Sequence, residues 1–181
     1  DAGFGQDPCR LPDRYRRRWK HQWIILTGGL CVVSYCEKDT EDAGKRFGQS
    51  LHPGDVVCLH GEPGAGKSVF VRGMARGLGI SDYITSPTFT LVHEYYDGAL
   101  PLFHFDAYRL AGGESAIEAG LDEYFYQDGV CAVEWPENIA SIIPPNAYHV
   151  TIQRDLSKGE GYRTILITNA GLEGKNEDFG G

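Results

Sequence analysis

Gly61-Glu62-Pro63-Gly64-Ala65-Gly66-Lys67-Ser68 follows the pattern G-x-x-x-x-G-K-[ST]. Its glycines let backbone amides turn inward and wrap an anionic phosphate chain without side-chain obstruction. A helix opening near Lys67 adds unpaired amides and the positive end of its dipole. Lys67 supplies a point charge to the β and γ phosphates, and the Ser68 hydroxyl is a ligand for Mg²⁺. The pattern therefore predicts a P-loop, with every residue from Gly61 to Ser68 lining a bound nucleotide.

Such a loop needs a carboxylate on the metal side, at the end of a neighbouring strand, and two candidates exist. Glu134 ends the apolar run Val130–Val133 and is followed by Trp135-Pro136, where proline ends regular structure. It has the context of an acid holding Mg²⁺ directly or through water, against the plainer reading of an ordinary strand-end carboxylate. Asp106 ends the run Leu102–Phe105. It either orients the attacking water or shares the metal, unless it is a helix-cap or turn aspartate. Thr85-Ser86-Pro87-Thr88-Phe89-Thr90 places four hydroxyls around a proline. It reads as a strand-entry turn or as a switch loop whose threonine closes on the γ phosphate and Mg²⁺. Arg109 reaches phosphate or pairs with an acid. His93 and His104 lack metal-ligand partners at useful spacing and read as structural. Tyr95-Tyr96 and Tyr124-Phe125-Tyr126 read as core or interface aromatics. No G-x-S-x-G occurs, so a serine-nucleophile hydrolase has no support.

These residues need a scaffold. Val56–Leu59 is a near-continuous apolar run, as in a strand buried on both faces. The glycine loop follows, then a helix from Lys67 to Leu78 with Val69, Phe70, Met74 and Leu78 at helical spacing. Before it, Val32–Tyr35 reads as a strand, and Asp39 or Thr40 caps a helix running to Leu51. Beyond it, Leu102–Phe105 and Gly129–Glu134 read as strands and Ser115–Ala119 as part of a short helix. Tyr148–Arg154 and Arg163–Thr168 alternate polar and apolar residues, which predicts an antiparallel hairpin at a sheet edge. The expected fold is α/β: a P-loop NTPase-like mixed sheet flanked by helices, with a C-terminal antiparallel hairpin.

Composition narrows the classes. The chain has 181 residues, with 41% hydrophobic and 23% charged, which suits one soluble domain rather than a disordered chain. No apolar run nears the roughly 20 residues of a membrane span. The charge of −8 is uneven. Arg10, Arg14, Arg16, Arg17, Arg18 and Lys20 outnumber Asp1, Asp7 and Asp13 in residues 1–22, a net of +3 that leaves −11 for the rest. Residues 1–31 accordingly read as a basic leader, disordered or foreign to the domain, with the P-loop domain at 32–168 and a flexible tail at 169–181. The acidic body disfavours autonomous nucleic-acid binding. Five cysteines without a C-x-x-C pair predict reduced thiols in a cytoplasmic protein.

Four strings in order, G-E-P-G-A-G-K-S (61–68), S-P-T-F-T-L-V (86–92), H-F-D-A-Y-R-L (104–110) and V-E-W-P-E (133–137), resemble the TsaE family over about 33–168. These are small bacterial ATPases of tRNA threonylcarbamoyladenosine synthesis. The resemblance implies ATP on Gly61–Ser68, Mg²⁺ on Ser68 and Glu134, Thr88 in a switch segment, Asp106 important for hydrolysis and Trp135 beside the nucleotide. It also implies slow intrinsic hydrolysis and action with the TsaB–TsaD pair, which modifies A37 of tRNA, so that tRNA is reached through partners. Ser68 stands where many members have threonine, and Glu62-Pro63 where Asp-Leu is frequent. The leader has no counterpart in the family. A small-molecule or nucleotide kinase is the alternative, in which the same loop passes phosphate to a bound hydroxyl. Such kinases usually carry an arginine-rich lid, and residues 110–148 contain no Arg or Lys.

Overall fold

The computed structural model describes residues 24–26 and 29–169. The basic stretch 1–22 and nearly all of the expected tail lie outside the described residues. In chain order the elements are β1 (Ile24–Leu26), β2 (Gly29–Ser34), α1 (Glu37–Gly48), β3 (Val56–His60), α2 (Lys67–Gly77), β4 (Val92–Tyr95), β5 (Leu102–Asp106), α3 (Gly113–Glu118), β6 (Val130–Glu134), β7 (Tyr148–Arg154) and β8 (Arg163–Thr168). Three short 3₁₀ turns occupy Asp122–Tyr126, Pro136–Ile142 and Leu156–Lys158.

One mixed eight-stranded sheet runs β1-β2-β8-β7-β3-β6-β5-β4. Its centre, β7-β3-β6-β5, is parallel. The flanking pairs β4–β5, β7–β8, β2–β8 and β1–β2 are antiparallel. The apolar run of β3 is buried on both faces, as its composition requires. Val57 and Leu59 pack with Phe70, Met74, Val150 and Ile152, while Val56 and Cys58 pack with Phe103, Phe105, Cys131 and Val133. Burying each such Leu, Phe or Met contributes about 1.5–3 kcal/mol. The crevice beyond the carboxyl ends of parallel strands is where α/β sheets bind ligands.

Helices α1 and α2 pack unusually close through glycines four residues apart on each. A Cβ on Gly44 would stand 2.2 Å from the Phe70 carbonyl oxygen, and one on Gly73 would stand 2.0 Å from that of Glu41. Gly48 and Gly77 meet Met74 and Lys45 in the same way.

Three expectations shift. The sheet begins ahead of residue 32: Gly29–Cys31 belong to β2, and Ile24–Leu26 pair with Gly29–Cys31 as β1. The outer edge of β8 would otherwise present unpaired backbone groups, and β2 satisfies them while burying Leu30 and Val32. For the same reason the β7–β8 hairpin is not at the sheet edge. Helix α1 starts earlier and ends earlier than expected, over Glu37–Gly48 with Cys36 as its cap. Asp39 lies inside the first turn, and its Oδ2 accepts a hydrogen bond from the Tyr35 amide at 3.0 Å.

Cys31, Cys58 and Cys131 are free thiols, and burial pushes Cys58 and Cys131 up to about 12, so both are inert at neutral pH. Among the described residues no helix is long and apolar enough to cross a membrane.

Candidate functional site

The loop between β3 and α2 has the backbone that its glycines predict. Gly64 (φ +74°) and Gly66 (φ +114°) occupy the left-handed region, where a side chain is strained, and Gly66 caps α2. From β8, the Arg163 Nε–H donates to the Ala65 carbonyl at 3.1 Å and ties the loop to the hairpin.

Lys67, 5% exposed, folds back over this loop. Its Nζ donates to the carbonyls of Gly61 at 2.6 Å and Glu62 at 3.1 Å, and lies 4.4 Å from the centre of the Trp135 ring. Burial pulls its pKa below the ordinary lysine value, while the charges of Glu134, Glu137 and Asp106 push back. Trp135 itself is held at φ 58°, an uncommon conformation for a bulky residue, and its ring packs against Tyr108. The turn at Pro136 aims that ring at the loop.

The two carboxylates are neighbours. Parallel pairing of β5 with β6 sets Asp106 opposite Glu134, and both are almost fully buried. The Ser68 hydroxyl donates to Glu134 Oε1 at 3.0 Å. His104 Nε2 reaches the same oxygen at 3.0 Å. Burial is the largest influence on Glu134 and raises its pKa. The His104 hydrogen bond and charge, the Ser68 bond and the Lys67 charge together outweigh it and hold the carboxyl below its usual value. Asp106 accepts from Thr88 Oγ1 at 2.9 Å and from the Tyr108 amide at 3.0 Å. Thr88 thus docks the 85–91 segment onto β5, next to Leu91 in the left-handed region (φ 67°).

Of the residues singled out for phosphate and metal, Gly61–Ser68, Thr88, Asp106, Glu134 and Trp135 lie together. Arg109 does not join them; its guanidinium lies 4.8 Å above the ring of Phe89, itself 83% exposed. His104, whose spacing suggested a structural residue, hydrogen-bonds Glu134. The usable signal was strand alternation, since His104 and Asp106 are two apart on β5 and share a face. Arg163, far from the loop in sequence, left no such signal.

One further contact sits at the foot of the loop. His60, the residue before Gly61, stacks on His149 of β7 with ring centres 5.2 Å apart. His60 Nε2 and His149 Nδ1 are 2.9 Å apart, and His60 Nδ1 faces Glu137 at 3.6 Å. Burial depresses the His60 pKa, Glu137 opposes this, and His149 reinforces it. The folded protein therefore resists a proton that the unfolded chain takes up near pH 6.5. Stability present above about pH 6.5 is lost as the pH falls toward the folded value. On acidification from about pH 7.5 to about pH 5.5, the melting temperature should fall further for the natural chain than for His60→Gln. Equal falls in the two proteins would remove the histidine pair as the cause.

Comparison with known proteins shows what the chain resembles. The family model for threonylcarbamoyl adenosine biosynthesis protein TsaE matches residues 34–164. Two proteins named tRNA threonylcarbamoyladenosine biosynthesis protein TsaE are close in sequence. That of Bacillus subtilis strain 168 is 42% identical over 134 residues, which span 74% of this chain and 82% of its own length. That of Treponema pallidum strain Nichols is 46% identical over 135 residues, 75% of this chain and 97% of its own. The crystal structure of Bacillus subtilis YdiB superposes with a TM-score of 0.67 at 36% identity, covering 81% of this chain and 88% of that one.

Proposed function

We infer the function of this chain from one premise: it belongs to the TsaE family. The family places it in tRNA threonylcarbamoyladenosine biosynthesis. Within that pathway we propose that it is an Mg²⁺-dependent ATPase of the cytoplasm, slow alone, which couples its nucleotide state to turnover of a TsaB–TsaD partner complex acting on A37 of tRNA. What carries the reading is the convergence of Lys67, Ser68, Thr88, Asp106 and Glu134 at the carboxyl ends of β3, β5 and β6.

The donor set fits a hard divalent cation. Ser68 gives its proton to Glu134, which leaves the hydroxyl lone pairs for a metal, and two buried carboxylates stand side by side. Ser68 and Glu134 would hold Mg²⁺, whose contribution when bound is to neutralise charge on the phosphate oxygens. The loop amides and the N-terminus of α2 bind the polyphosphate. Lys67 exchanges the two carbonyls it now holds for β and γ phosphate oxygens, so that the ammonium group meets anionic acceptors in place of neutral ones. Asp106, held between Thr88 and the Tyr108 amide, orients the attacking water by accepting its hydrogen bond. Because Thr88 is tied to Asp106, a change at the γ phosphate is passed to the 85–91 segment and its exposed Phe89. That segment is the part of the site that a partner protein can read.

The pathway reading is tested by reconstituting threonylcarbamoyl transfer to tRNA with TsaB and TsaD, with and without this chain, at saturating ATP. Sustained turnover should require the chain. Equal turnover in its absence would remove the proposed role.

A further inference from the structure

A fully buried histidine does not belong in an apolar strand for packing alone. His104 is 0% exposed in the middle of β5, opposite Ala132 of β6. Its neighbours along the strand, Leu102, Phe103 and Phe105, are apolar and equally enclosed. Nε2 lies 3.0 Å from Glu134 Oε1, whereas Nδ1, also buried, has no hydrogen-bond partner among the described residues. A carboxylate accepts, so Nε2 carries a proton and donates, and Nδ1 is left in the interior without a partner among the described residues. An unsatisfied buried nitrogen costs stability that leucine or phenylalanine would not. The compensating gain at this position is the bond to Glu134.

The geometry at Glu134 says what that bond does. Two donors from different elements, Ser68 Oγ at the start of α2 and His104 Nε2 in β5, converge on the same oxygen. The carboxylate cannot turn about its last bond without breaking both, and Oε2 is the oxygen that these bonds leave for a cation. Carboxylate ligands of metals are commonly held in this way by hydrogen-bonding partners behind them. We propose that His104 is a positioning residue of the ATPase site: through its Nε2–H it locks the Glu134 carboxylate in the orientation that receives Mg²⁺. The inference rests on the reading of Glu134 as the metal-side acid.

Three substitutions test it. Glutamine at 104 puts an amide N–H near the place of Nε2; asparagine reaches only as far as Nδ1; leucine donates nothing. The measurements are single-turnover phosphate release, the Mg²⁺ concentration giving half-maximal release, ATP affinity in EDTA, and melting temperature. His104→Leu should leave metal-free ATP affinity within about twofold, cut phosphate release about 10-fold or more, and raise the Mg²⁺ requirement several-fold. His104→Gln should recover most of both losses, and His104→Asn should behave like His104→Leu. If His104→Leu does not fold, the Gln and Asn variants carry the same comparison. In a Glu134→Gln background, a second substitution at 104 should add little, because His104 acts only through that carboxylate.

Equal impairment by Gln, Asn and Leu, tracking melting temperature, would reduce His104 to a structural role. Full additivity with Glu134→Gln would do the same. An unchanged Mg²⁺ requirement in a folded His104→Leu protein would overturn the inference directly. Failure of the underlying reading looks different: Glu134→Gln alone would then release phosphate at the natural rate.

Discussion

Replacing Lys67 with alanine should abolish measurable ATP binding while leaving the protein folded. The ammonium group is enclosed by the loop it serves, donating to the Gly61 and Glu62 carbonyls and lying against the Trp135 ring. Three carboxylates, Glu134, Glu137 and Asp106, act on it electrostatically. Without the lysine, a polyphosphate would face Glu134, Glu137 and Asp106 with no ammonium group to offset them, and repulsion in a poorly solvated site is costly. Alanine is the best helix former at the first position of α2, so the backbone has no reason to rearrange. Affinity should drop at least about 100-fold, equivalent to about 2.8 kcal/mol. Titration with a fluorescent ATP analogue measures this directly. A thermal-shift assay gives an independent reading: Mg-ATP at about 100 times its Kd stabilises a folded protein by about 2.7 kcal/mol, and that gain should vanish. Binding within twofold of the natural chain would end the assignment of residues 61–68 as the phosphate site.

Glu134→Gln and Asp106→Asn should show the opposite profile, with ATP still bound and phosphate release reduced about 100-fold or more. Glutamine keeps the shape of Glu134 and can still accept from Ser68 and His104, but it loses the charge that meets the metal. Asparagine is a harsher change at Asp106 than its size suggests. Asp106 accepts from Thr88 on one oxygen and from the Tyr108 amide on the other, and an amide side chain offers only one acceptor. The amide oxygen can keep the Tyr108 N–H, but a donor then faces Thr88, whose hydroxyl must turn to accept, so the tie between β5 and the 85–91 segment is reversed. Single-turnover phosphate release separates these losses from folding, because each variant should retain ATP-dependent thermal stabilisation. Undiminished release by both variants would remove the two carboxylates from the reaction.

These two profiles depend on residues of which some were legible in the chain and some were not. The loop was legible because its signal is local: the amides, the lysine and the hydroxyl proposed to bind phosphate are consecutive, and glycine is demanded by backbone conformation at Gly64 and Gly66. Glu134 and Asp106 were legible because each ends an apolar run, and parallel strands of one sheet bring such ends together. His104 was read as structural because no nearby ligand partner follows it in sequence. Its partner, Glu134, is 30 residues away and becomes adjacent through the β5–β6 register. His60 and His149 are separated by 89 residues, and Arg163 and Ala65 by 98. Arg109 had a polar reading on chemistry alone, yet the loop fold set it over Phe89.

The same division holds for the scaffold. Alternating and continuous apolar runs located β3, α2, β5, β6, β7 and β8 to within one or two residues, because burial on one face or both leaves its period in the chain. The runs do not say which strand lies beside which. The orderly apolar pattern of the chain begins at Val32, and pairing with β8 draws Gly29–Cys31 into the sheet as well. By itself, then, the sequence determined the phosphate loop, the strands that carry it and the types of group around it, since each depends on neighbours along the chain. Tertiary structure decided which oxygen of Glu134 is held, by which two donors, and how Thr88 meets Asp106. Those are contacts between distant segments, and only strand register and helix packing bring their atoms within hydrogen-bond distance.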